Sequence, residues 1–167
     1  RSVYPDARGY PIAPLGGFIT AHSSPVKERW GGWYVSGTHG GERHLGNMRF
    51  EEKGAEYNPS ELASQNLTSL EPRFNTQNYL TPHSDIVALM VLEHQTGFAN
   101  RVAIINAQVR LGTLADIDKS IDELAAFMTF ADEAPLPSPV KGNSGFDTVF
   151  ARRGPRDNQG RSLRDFD

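Results

Sequence analysis

Proline and glycine dictate most of what the first half of this 167-residue chain can become. Residues 1–60 hold Pro5, Pro11, Pro14, Pro25 and Pro59 together with the pairs Gly16-Gly17, Gly31-Gly32 and Gly40-Gly41, a density that ends any helix and interrupts most strands. Only short extended pieces fit, the best being residues 32–36, where Trp33, Tyr34 and Val35 favour a brief strand. Residues 51–81 read as a long polar connector, with a single helical turn expected over 60–65 behind Pro59.

The second half is different. Pro82 stops what precedes it, and Ser84 or Asp85 can cap the first free amides of a helix over about 84–111. Its apolar residues, among them Ile86, Val87, Met90, Leu92, Phe98 and Ile105, cover more than one face, the pattern of a central helix packed on several sides. Gly97 allows a bend and Gly112 a C-terminal cap. A second helix over about 114–131 carries Asp116 and Asp118 near its start, and the short join makes the two an antiparallel pair. After the spacer of Pro135, Pro137 and Pro139, a short helix is expected near 144–152. The fold class expected is mainly α, an irregular Gly/Pro-rich first half packed on an antiparallel helix pair. It forms one domain or domain fragment over 1–167: a histidine-bearing segment 1–81, a helical core 82–152 and a charged arm 153–167.

Composition excludes several functions. A net charge of -3 and the absence of a dense basic run give no electrostatic footprint for nucleic acid. The chain has no cysteine, hence no disulfide, thiolate metal site or covalent haem attachment within it. No apolar run is long enough for a membrane span, and the first residues lack the apolar centre of a signal peptide. Arg1 in place of a methionine, and the charged final run, lead to the expectation of an internal piece of a longer protein. There is no Gly-x-Ser-x-Gly elbow, phosphate loop or His-Glu-x-x-His signature. Asn66-Leu67-Thr68 matches a glycosylation acceptor only as a chance tripeptide.

What remains is the placement of the five histidines. His22, His39, His44 and His83 stand in irregular, glycine- and proline-rich surroundings, and His94 falls on the long helix. His39 and His44, five residues apart among four glycines, can converge on one ion; neutral imidazole serves iron, copper or zinc. Each ring can equally donate to a backbone carbonyl in a tight turn, and His22, before Ser23-Ser24-Pro25, can do the same. Met48 is a candidate soft axial ligand or a packing residue beside Phe50, and Trp30 and Trp33 are pocket walls or core. His94 and Arg101, seven apart, share a helix face.

The stretches RSVYPDARGYPI, RWGGWYVSGTHGGERHLGN, LTPHSDIVALMVLEHQT and ARRGPRDNQGRSLRDFD resemble a cytochrome c-like family of exported bacterial proteins with a c-type haem motif. The resemblance implies a Cys-x-x-Cys-His segment shortly before Arg1, a haem c attached outside this chain, and a periplasmic or exported location. It places an acidic residue where Ala21 stands and histidines where Gly97 and Ala99 stand. The expected function is electron transfer or redox sensing, with His39, His44 or His22 as distal ligand or haem-edge donor and Trp30 and Trp33 as walls. His83 and His94 then orient rings or satisfy propionates together with Arg43 or Arg101. Expected partners are the remainder of the parent chain or a haem-bearing subunit, and a redox partner protein. Two other classes stay open: a peroxidase-like or metal-dependent oxidoreductase, and a structural or interaction module of a larger assembly.

Overall fold

The computed structural model describes residues 1–53, 56–59, 66–131, 133–136 and 138–161. Two small antiparallel pairs occupy the first part. Strand β1 (Ser2–Val3) pairs with β2 (Gly17–Phe18), and β3 (Phe50–Lys53) pairs with β4 (Glu56–Pro59) in the register Phe50 to Pro59. Three helices follow, α1 (Ile86–Leu111), α2 (Ile117–Met128) and α3 (Phe146–Arg152). The mainly helical class, with an irregular leading stretch of short strands and turns, is what the sequence leads one to expect.

The start of α1 is fixed by Asp85, whose carboxylate accepts the amides of Val87 at 2.9 Å and Ala88 at 3.2 Å. It also accepts the amides of Asn143 and Ser144 and the Ser144 hydroxyl, so one side chain ties the helix to the segment that leads into α3. Burial pushes the Asp85 carboxyl up, but these hydrogen bonds outweigh it and hold the group below the ordinary carboxylate range. Helix α1 ends at Gly112, which turns into the left-handed region at φ 64° while its amide bonds back to the last turn.

The chain then folds back, and Asp116 caps α2 by accepting the Lys119 amide. Phe127, near the end of α2, reaches Gly97 and Arg101 in mid-α1: a Cβ on Gly97 would stand 2.8 Å from the Phe127 ring, and the Arg101 guanidinium lies 3.7 Å over it. Gly97 thus permits a close helix contact, and α1 runs unbroken through it.

The core joins Val26, Trp30 and Val35 from the irregular segment to Ile86 and Val87 at the head of α1, with Leu89, Met90, Val140 and Phe146 packed against it. Three expectations need correcting. First, residues 32–36 form no strand; they make one isolated bridge, Ser36 to Asp85, because the Asn47 side chain takes both the amide and the carbonyl of Val35 and leaves no ladder to extend. Second, the expected connector contains the β3–β4 hairpin; the turn expected over 60–65 lies outside the described residues. Third, α1 is not central among the described residues: only its first two residues are buried, and Ile104, Val109 and Leu111 are more than half exposed. Helices α2 and α3 cover too little of a cylinder whose apolar residues spread over more than one face. Among the described residues no helix is long and apolar enough to cross a membrane.

Candidate functional site

Residues 22–47 carry the site, and main-chain hydrogen bonds thread them firmly through the fold. Ser36 pairs with Ser84 and Ile86, Gly37 with Leu67, and Thr38 with Lys141 in both directions. Asn66 holds the next turn from its other side, accepting the His39 amide at 2.6 Å and donating to the Gly40 carbonyl at 2.9 Å. Asn66 is therefore a structural clamp. All these bonds use the backbone around His39 and leave its ring unserved.

The rings of His39 and His44 converge, centroids 4.7 Å apart and nearly perpendicular. They are only 1% and 2% exposed, and none of their four nitrogens has a hydrogen-bond partner. A buried donor or acceptor left unmade costs about 1–3 kcal/mol, so this pair is an expensive arrangement for a merely structural turn. Burial and then the neighbouring His39 push His44 down to about 4; the backbone of Gly46 opposes this without closing a well-aligned bond. The ring is neutral near pH 7, the form that ligates a metal.

Trp30 packs on His44, ring centroids 5.3 Å apart and edge-on. Its backbone sits at φ 63°, a left-handed conformation strained for a bulky residue, held by Gly31, whose amide donates to Ser2 Oγ at 2.7 Å and whose carbonyl accepts the Val3 amide. On its far side Trp30 lines a cleft of about 230 Å³ with Trp33, Leu89, Leu92, Glu93, Thr96, Thr20 and Arg1. Leu89, Leu92, Glu93 and Thr96 recur at helical spacing, so one face of α1 forms a wall. Trp33 is half exposed. The Trp30 Nε1 and Glu93 Oε2 atoms are covered without a hydrogen-bond partner.

Beneath this wall lies Arg29, 1% exposed, whose guanidinium donates to the carbonyls of His22 and Ser24 and stands 3.6 Å from Glu93. Burial lowers its pKa, with Glu93 and Glu133 acting against that. His22 belongs to a different grouping from His39 and His44. Its Nδ1 lies 3.0 Å from Nδ1 of His94, and both rings pack against Phe127 and Phe130. Gly97, where the resemblance places a histidine, faces the Phe127 ring and has no room for a side chain.

The five imidazoles therefore form two pairs and a single ring rather than one cluster, and no group of three or more metal-capable side chains occurs among the described residues. His83 is half-buried with an unpartnered Nδ1. Arg43 is exposed, Met48 is half-buried and lines a second cleft, and Arg101 stacks on Phe127. Sequence reasoning missed Arg29 and the α1 wall; the spacing of residues 89, 92, 93 and 96 was the available signal for the wall, whereas Arg29 had none.

The His39 and His44 rings are too close together and too deep, behind Trp30, to flank a haem plane. The Trp30–Trp33 cleft opens to the surface with apolar walls, yet falls below the roughly 300–1,000 Å³ of sites that enclose a whole organic ligand, so it suits an edge. No family model, curated protein or solved structure matches the chain.

Proposed function

We propose that this chain is the haem-edge segment of an exported c-type haem protein serving electron transfer or redox sensing, with the haem carried by neighbouring polypeptide. One observation carries the reading: Trp30 and Trp33 line a single open cleft whose rim includes Arg1, the residue before which the resemblance puts the attachment motif. A haem resting there supplies one-electron chemistry at its iron. This chain's part is to hold its edge. Trp33, Leu89 and Leu92 exclude water from one face, which raises the strength of nearby charges. Glu93, fixed by Arg29, sets a negative charge beside the edge, and Arg1 offers a cation for a propionate.

The test is a pyridine haemochrome spectrum of the exported protein containing this segment. A c-type band supports the reading; a protein exported without haem overturns it.

A second reading, an interaction module, is favoured by the exposed apolar side chains of α1 and α2, including Ile104, Val109, Ile117 and Ile121. Both readings call for further polypeptide over these helices, and they part at the spectrum: an assembly scaffold carries no haem.

A further inference from the structure

We propose that one face of the α1–α2 hairpin is a self-association surface, covered by the same face of a second copy of this chain, with α1 of one copy laid antiparallel on α2 of the other. Gly97, Arg101 and Phe127 mark where the two helices touch. At about 100° of rotation per residue, Phe98, Val102 and Val109 lie roughly a quarter turn round α1 from that contact, and Ile117, Ile121 and Met128 roughly a quarter turn round α2 in the same sense, which on antiparallel helices is the same side. Phe98 and Val102 are half-buried, and Val109, Ile117, Ile121 and Met128 are more than half exposed. Residues 98–109 carry one charge, Arg101, and it is turned inward onto Phe127. Lys119 and Glu123 pair with each other on the far side of α2. The hairpin thus has a continuous apolar, uncharged face with no second layer upon it, the arrangement that four-helix bundles complete.

Charge at the rim selects the partner. Arg110 stands at the outer edge of α1 and Asp118 and Asp122 at the outer edge of α2; all three are exposed and form no ion pair among the described residues. A two-fold axis parallel to the helices sets α1 of one copy on α2 of the other with both connecting turns at the same end, so Arg110 of each copy comes beside the acids of the other, twice over. A two-fold axis across the helices would instead lay α2 on α2, each with three acids to one base. Helix α2, 12 residues and therefore about 18 Å long, limits the shared face to the small end of specific interfaces, on the order of 1,200 Å² in total, so the dimer comes apart on dilution. The wall of Leu89, Leu92 and Thr96 lies on the side of α1 away from α2 and stays open. The second copy is the further polypeptide that both functional readings call for; because its measurement reads mass and not haem, each can fail without the other.

The experiment is sedimentation equilibrium of the exported protein containing this segment over a wide concentration range, for the wild type, Val109→Asp, Ile121→Asp, Arg110→Asp and Arg110→Asp with Asp118→Arg. A reversible dimer is expected. Either apolar-to-Asp change should weaken it at least about 100-fold, and Arg110→Asp about 10-fold, most of which the charge swap recovers. Both apolar positions are more than half exposed in the single chain, so the helices should survive the change, which far-UV circular dichroism checks. Should they not survive, cysteine pairing gives the answer: the chain has no cysteine of its own, and a mixture of Val109→Cys and Ile117→Cys proteins should form the mixed disulfide in preference to either homodisulfide. A monomer at every concentration, an assembly larger than a dimer, a dimer indifferent to both Val109→Asp and Ile121→Asp, or a preference for homodisulfides would overturn the proposal. A monomer would mean that another part of the parent protein covers this face.

Discussion

His22 and His94 face each other Nδ1 to Nδ1 at 3.0 Å across 72 positions of sequence. Two nitrogens at that distance share one proton: one ring donates, the other accepts, and a second proton between them is excluded. The bond joins the loop of residues 20–24 to mid-α1 and closes the stack with Phe127 and Phe130. A double-mutant cycle on His22→Ala and His94→Ala should return a coupling of about 1–2 kcal/mol, and the same far-downfield imidazole proton should vanish from the NMR spectrum of each single variant. Additive losses would remove the bond from the account.

Acid sensitivity should centre on His44. Unfolded, its ring takes up a proton near 6.5; folded, near 4. Between those values the unfolded state binds more protons, so stability is fully present above about 6.5 and is lost as pH falls toward 4. The loss for one ring comes to roughly 3 kcal/mol. Urea denaturation of the metal-free protein from pH 7.5 to 4 measures it, and His44→Gln should flatten the profile over that window.

Asp85 has the opposite charge but the same pH direction. Its lowered carboxyl favours the folded state above the ordinary carboxylate range, and that stabilisation is lost as pH falls through the folded value. Replacing it by Ala removes a cap and the anchor for residues 143 and 144 together, an expected cost on the order of 3 kcal/mol in chemical denaturation. Asp85→Asn should recover only part of it, because the amide cannot accept at both oxygens.

At Gly97 two effects compete. An alanine gains up to about 1 kcal/mol of helix propensity, but its Cβ would stand 2.8 Å from the rim of a Phe127 ring that is 1% exposed and stacked on His94. Overpacking of this kind costs about 1–3 kcal/mol and should win. Gly97→Ala is expected to lower the denaturation midpoint, whereas Gly97→Ala combined with Phe127→Leu should lose less than the two single changes added.

The helices were legible because their signals are local: Asp85, Gly112 and Asp116 act within one turn of themselves, which set α1 and α2 to within a few residues. The meeting of His39 and His44 was legible for the same reason, five positions apart on glycine-permitted backbone. What could not be read was made at long range. Asn47 replaces a strand partner for Val35, Arg29 sets its charge across from Glu93, and His22 finds His94 only after α2 folds back and presents Phe127. The β3–β4 hairpin was hidden by polar residues that serve a two-stranded pair as well as a loop.

The haem-edge reading is tested most directly by redox titration of the exported, haem-loaded protein against its Glu93→Gln variant. The carboxylate lines the cleft, and removing its negative charge makes the iron easier to reduce, so a c-type haem whose midpoint potential rises in the variant is the predicted result. A haem with the same potential in both proteins would place the cofactor elsewhere and contradict the account.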